Sequence, residues 1–345
     1  MSKQGIFIGI LFALTLYFNY VLYEKYLFDL LIAIIFTIAT FDIYTKMTSI
    51  VKSKSLASTM LLFVVLILIF APIGYLFVKA AAFVAAINIG EIEQKIQALA
   101  LLIKSTLAEI PGLKEKVNEV YQNIDITAIS KEIFSFLASF TKDSANFVID
   151  AMFIAVFYFF LNIYGKNILD FTLKAIPLER KNANELMHEG GVTIKAVFYS
   201  LFITAFLQGL LFGVFVSFFG LDGLLLGLLY GFACMIPIVG GGLVWIPVSG
   251  YLLFDGATIG AIAVAIYSIV VLATVVDNFV RPIIVGWLNN KVLKTDKGLN
   301  EILVFFSMLA GLGQFGFFGI ILGPAIMALL LSVLRLLQMK NKEGF

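Results

Sequence analysis

Long apolar runs alternate with short polar joints along this chain, at the spacing of bilayer-spanning helices. A crossing needs about 20 mostly apolar residues. Six stretches supply them: Gly5–Leu22, Tyr26–Phe41, Leu56–Ile87, Phe147–Tyr164, Val192–Phe219 and Ala257–Val276. Two further regions, 224–254 and 302–337, are long and apolar but interrupted by Gly and Pro. They are too long for one simple span and too broken for two ordinary ones. Each is expected to form a helical hairpin, re-entrant or fully spanning. The pattern predicts an all-α, polytopic membrane protein.

One segment departs from it. Residues 88–145 hold six lysines and eight acids. Ile92, Ile96, Leu99, Ile103, Leu107 and Ile110 recur at three- and four-residue steps, the period of an amphipathic helix, which Pro111-Gly112 ends. Shorter patterns follow through Leu113, Val117 and Tyr121, and through Ile129, Ile133, Phe136 and Phe140. The expected organisation is spans one to three in 1–87, a small external helical domain in 88–145, and the remaining spans with both hairpins in 146–345. The apolar stripes of the external helices need a partner, either each other or a neighbouring subunit.

Composition supports a lipid solvent. The 345 residues are 61% hydrophobic and 13% charged, against about 45–50% and about 25% in soluble domains. That much apolar surface does not fit inside one aqueous core. A net charge of +2 suggests no nucleic-acid partner. Lys46, Lys52 and Lys54, then Lys166, Lys174, Arg180, Lys181 and Lys195, then Lys291, Lys294 and Lys297, then Lys340 and Lys342 all fall on one side if each hairpin crosses an even number of times. The positive-inside rule makes that side, and both termini, cytoplasmic, in an inner membrane. Lys3 and the apolar run after it resemble a secretion signal. No small-residue cleavage site precedes Glu24-Lys25, so an uncleaved first helix is expected.

Several chemistries lack their residues. The single Cys234 and single His188 leave no disulfide framework and no Cys/His metal site, and no cofactor is expected. There is no Walker A sequence, no G-x-S-x-G elbow and no H-E-x-x-H pair. Gly311-Leu312-Gly313-Gln314-Phe315-Gly316 matches G-x-G-x-x-G in spacing, but without the preceding strand or following acid that dinucleotide binding requires. An intramembrane enzyme would need a nucleophile or paired acids at depth, and the sequence supplies one clear acid there.

What remains is concentrated in the two broken regions. Pro237, Gly240, Gly241 and Gly242 interrupt the first; Gly311, Gly313, Gln314 and Gly316 interrupt the second. Backbone unpaired in lipid is so unfavourable that such breaks survive only inside protein or along a wet cavity. Paired broken helices are where carriers place their sites. Glycines also permit close packing, as Gly223-x-x-x-Gly227-x-x-x-Gly231 and Gly319-x-x-x-Gly323 are expected to do. Asp277 and Arg281 close a long apolar helix four residues apart, with Asn278 between them. The pair reads either as a structural ion pair or as a substrate- or cation-coupling site. Gln208, Gln314, Asn300 and Glu301 are weaker polar candidates, read as helix–helix hydrogen bonds. Asp222 and Asp255 are read as turns or caps, Asp29 and Asp42 as solvated helix ends, and His188 as a surface residue.

At these residues the chain resembles the autoinducer-2 exporter family of permeases. The likeness lies in Ile236-Pro237-Ile-Val-Gly240 with Pro247, in Asp277-Asn278-x-x-Arg281-Pro282-x-x-x-Gly286, and in Gly311-x-x-x-x-Gly316-x-x-Gly319-x-x-x-Gly323-Pro324. It covers nearly the whole chain. The resemblance implies about eight transmembrane helices and a homo-oligomer, a pentamer in the family pattern. It also implies export of the quorum-sensing signal autoinducer-2, or Na+(Li+)/H+ antiport. The expectation is a secondary transporter whose two hairpins meet around a small polar site, its partners being the bilayer and a small polar solute or a monovalent cation and proton. The rival of another class is a membrane protein that assembles through the external helices and transports nothing.

Overall fold

The computed structural model describes residues 3–86, 144–175, 180–236, 239–287, 301–316 and 318–343, with isolated positions between 90 and 135. All regular structure among them is helical. The helices are α1 (Lys3–Tyr23), α2 (Leu27–Val51), α3 (Lys54–Val65), α4 (Ala71–Ala86), α5 (Ser144–Ala175), α6 (Arg180–Ser217), α7 (Gly223–Ala233), α8 (Gly242–Phe254), α9 (Thr258–Ile266), α10 (Arg281–Trp287), α11 (Glu301–Phe315) and α12 (Gly319–Glu343). Wider π-helical turns at Leu66–Phe70 join α3 to α4, and others at Tyr267–Val280 join α9 to α10. Five runs are long and apolar enough to cross a membrane, and four shorter apolar helices accompany them. The protein is an all-α, multi-pass membrane protein. The external domain expected at 88–145 lies almost wholly outside the described residues, as does Pro237.

The two spans expected at Gly5–Leu22 and Tyr26–Phe41 form one helical run. Between α1 and α2 there is only the tight turn Glu24–Tyr26, and the backbone at Tyr23 and Tyr26 stays in or beside the helical region. Glu24 and Lys25 are polar, but polarity without Gly or Pro does not break a helix. The next joint is a true stop. Lys52 adopts a left-handed φ of 57° with its N–H on the Thr48 carbonyl, and Ser53 caps α3 by accepting the Leu56 N–H at 3.4 Å.

The chain divides into two compact units, each built from several stretches. The first holds 1–66, 149–195 and 299–345. Here Thr40 Oγ1 and the Tyr158 hydroxyl lie 2.7 Å apart, and the Ser58 hydroxyl donates to the Phe159 carbonyl at 3.0 Å, fastening α5 to α2 and α3. Its hairpin, α11–α12, packs backbone on backbone. A Cβ on Gly311 would fall on the Gly319 carbonyl and lie 3.1 Å from Gly323 Cα. The break comes at Gly316–Phe318, where Gly316 has φ +64°. This corrects the expectation of unwound backbone from Gly311 to Gly316. Gly311, Gly313 and Gln314 are helical, and Gly311 lets the second helix approach rather than opening the first. Asp29, read as a solvated end, is 3% exposed. The rings of Tyr26 on Phe153, and of Phe28 on Phe315 and Phe318, close over the start of α2. Asp42 and His188 are exposed as expected, Asp42 accepting from Lys195 Nζ at 2.6 Å.

The second unit holds 67–148 and 196–298. Its α6–α7 seam is made of glycines: Gly209 and Gly213 on α6 face Gly223, Gly227 and Gly231 on α7. A Cβ on Gly227 would stand 2.7 Å from the Gly209 carbonyl oxygen and 3.0 Å from Gly213 Cα. Contact this close substitutes for the hydrophobic drive that lipid removes. Asp222 caps α7, Oδ1 accepting the Leu225 N–H at 3.0 Å, and Asp255 sits at the C-cap of α8. The hairpin α7–α8 breaks between Cys234 and Gly241. In both hairpins the second helix opens on Gly and carries Pro five residues on, Gly242 with Pro247 and Gly319 with Pro324.

Candidate functional site

The site grows out of the π-helical stretch in the second unit. Bonds there skip five residues rather than four: the Arg281 N–H reaches the Val276 carbonyl, and the Thr274 hydroxyl donates to Ile269 O at 2.8 Å. Such stretches are rare and recur at functional positions. Asp277 lies near the end of this one, on a run with no other acid from Thr258 to Trp287.

Two donors converge on a single oxygen of Asp277. Gln208 Nε2 donates to Oδ1 at 2.9 Å, and Arg281 Nη1 lies 3.6 Å from the same atom. Oδ2 has no partner among the described residues. Gln208 comes from α6 and is 2% exposed, whereas the Asp277 and Arg281 side chains are about 40% and 37% exposed. The carboxylate is therefore anchored on its inner edge and open on its outer one.

The broken hairpin adjoins this pair. Cys234 is within electrostatic range of both Asp277 and Arg281, and Tyr230 is within range of Asp277. Tyr230 stacks on Phe212 with centroids 4.3 Å apart, and its hydroxyl abuts Gly241. A Cβ on Gly240 would fall on the Ala233 carbonyl, so glycine lets the returning chain fold onto the end of α7. The break and the ion pair share one neighbourhood.

α6 presents different chemistry on opposite faces. Gln208, Leu211 and Phe215 face the π-helical stretch: the Tyr267 hydroxyl donates to Leu211 O at 3.3 Å, and the Phe215 and Tyr267 rings stack at 3.9 Å. The opposite face carries the glycine seam and borders a cavity of about 430 Å³. Ile67, Leu68, Phe206, Leu210, Leu224 and Phe232 help to line it, and this mostly apolar lining, with Ser217 its one polar side chain, offers a polar solute few partners.

Of the residues singled out from the sequence, Asp277 and Arg281 pair with each other, while Gly240 and Gly241 pack on Ala233 and Tyr230 at the end of α7. Asn278 does not join them. It is exposed, and its amide turns back onto the carbonyls of Ala273 and Thr274 at 3.4 and 3.0 Å. Gly311, Gly313, Gln314 and Gly316 belong to the other unit. Gln208, read from the sequence as a helix–helix hydrogen bond, makes one, and its partner is Asp277; it is the one amide in the Val192–Phe219 span, and a buried amide needs a partner. No group of His, Cys, Asp and Glu suited to a metal ion occurs among the described residues.

The profile of the AI-2E family transporters matches residues 6–339. The chain belongs to that family. A Helicobacter pylori (strain J99) protein named "Putative transport protein" is 32% identical over 336 residues, covering 97% of this chain and 96% of its own. One from a second H. pylori strain is 31% identical over 337 residues, covering 97% and 96%. A transport protein of the same name from Aquifex aeolicus is 27% identical over 323 residues, covering 88% of each. As an AI-2E family member the chain sits among transporters, and the residues above are read in that light.

Proposed function

We propose that the protein is a secondary carrier whose transported species meets the Asp277–Arg281 pair beside the α7–α8 break. One observation carries the reading: an intramembrane carboxylate, anchored by a buried amide and a guanidinium through one oxygen, is near Tyr230 and Cys234, where α7 ends and the hairpin breaks. Ionisable groups at membrane depth mark solute and ion pathways, and broken helices at the same place supply free backbone dipoles to a ligand.

The family reading makes the cargo a small polar metabolite such as autoinducer-2, moved outward across an inner membrane by a homo-oligomer, a pentamer in the family pattern, with both termini cytoplasmic. Na+(Li+)/H+ antiport is the second reading, favoured by the unpaired Oδ2 of Asp277, which suits a monovalent cation. No catalysis is assigned. Proteoliposomes separate the two readings. Flux of autoinducer-2 without a change in proton gradient supports export, and Na+-dependent dequenching of a trapped pH dye supports antiport. Asp277→Asn should reduce whichever flux occurs by at least about tenfold, the loss of one charge-assisted contact. Unchanged flux would remove Asp277 from the mechanism.

A further inference from the structure

Gln208 sits mid-helix in α6, 2% exposed, in a span that is otherwise strongly apolar. Its Nε2 carries two hydrogens, and both are used: one on Asp277 Oδ1 at 2.9 Å, the other toward the Leu272 carbonyl at 3.4 Å. Those acceptors stand five residues apart on a π-helical stretch, whose register sets an N–H against the carbonyl five residues before it, as Arg281 N–H meets Val276 O. The amide therefore grips both the carboxylate and the turn that sets its direction.

We propose that Gln208 is a positioning residue for transport, fixing Oδ1 of Asp277 in the protein so that Oδ2 is left for the transported species. The proposal rests on the reading of Asp277 as the transport site. Two features make Gln208 suited to the task. An amide has no charge to lose, so the grip holds at any working pH. It also comes from a helix pinned on both sides, by the Phe215–Tyr267 stack on one face and the glycine seam on the other. Arg281 alone would leave the carboxylate free to turn, since it lies on the same helix and reaches only one oxygen at 3.6 Å.

The test joins a flux measurement to one that does not depend on flux. Gln208→Leu removes the donor at nearly constant volume, and Gln208→Asn shortens its reach. In proteoliposomes each is expected to lower autoinducer-2 flux, or Na+-driven proton flux, by about tenfold or more, the worth of a hydrogen bond to a charged group. In the Asp277→Asn background neither should lower residual flux further. In parallel, a hydrophobic carbodiimide reacts with the Asp277 carboxyl, read by peptide mass spectrometry across a pH series. Gln208→Leu is expected to move the pH at which Asp277 is labelled, while thermal unfolding confirms that the variant is folded. Unchanged labelling, or equal flux losses in both backgrounds, would reduce Gln208 to a packing residue. A moved labelling profile with full flux in Asp277→Asn would keep the positioning role and sink the transport reading of the site.

Discussion

The hydroxyl oxygen of Tyr230 stands 2.7 Å from the point a Cβ would occupy on Gly241. Tyr230 is held by its stack on Phe212 and does not move aside cheaply. Gly241→Ala is therefore expected to destabilise the protein by about 1–3 kcal/mol, the usual range for overpacking. Adding Tyr230→Phe should recover most of that loss. Thermal unfolding of the purified single and double variants in detergent measures both effects, and additive losses would mean the two residues do not meet.

The glycine seam gives a larger effect. At Gly227 a new Cβ strikes the backbone of α6 at Gly209 and Gly213, and backbone does not rotate away. Gly227→Val should cost at least about 2 kcal/mol and lower the melting temperature sharply. Gly74→Ala is the matched control: nothing lies within 4 Å of its Cβ position, so the change should be neutral or gain up to about 1 kcal/mol from helix propensity.

The second hairpin separates two uses of glycine within four residues. Gly316 has φ +64°, a conformation that costs an L-residue about 1–2 kcal/mol. Gly313 is helical, with nothing within 4 Å of its Cβ position. Gly316→Ala is expected to destabilise, and Gly313→Ala to leave stability unchanged or slightly higher. A transport defect in Gly313→Ala without loss of stability would then be functional.

Asp222 gives a pH-dependent term outside the membrane spans. Its carboxyl is held below the ordinary carboxylate value, first by the Leu225 N–H, with Lys79 at 3.5 Å assisting against some desolvation. A depressed folded-state value means the cap stabilises above the ordinary carboxylate range and is lost as pH falls through the lowered one. Asp222→Ala should cost about 1 kcal/mol near neutral pH. Asp222→Asn should keep the cap while flattening the acid limb of a plot of melting temperature against pH.

Much of this architecture is legible in the sequence. Hydropathy period and length give the helices, because lipid forces every backbone group to pair within its own helix. The first break is legible because Pro237 and three consecutive glycines crowd one place. The second is misplaced, since a glycine that admits a neighbouring backbone and one that ends a helix look alike in sequence. Gly311 proves to be the first kind and Gly316 the second. Asp29 is misjudged because its burial depends on packing from elsewhere in the chain: the rings beside it in sequence, Tyr26 and Phe28, meet Phe153, Phe315 and Phe318. The π register around Asp277 has no sequence signature, and without it the joint grip of Gln208 on Leu272 and Asp277 is not foreseeable.

That grip also constrains how the protein is made. Gln208 precedes Leu272 by 64 residues and Asp277 by 69. A nascent chain threading into lipid presents a bare amide long before its acceptors have left the ribosome. The helix is apolar enough to enter lipid by itself, but its amide reaches these partners only once the later helix is in place.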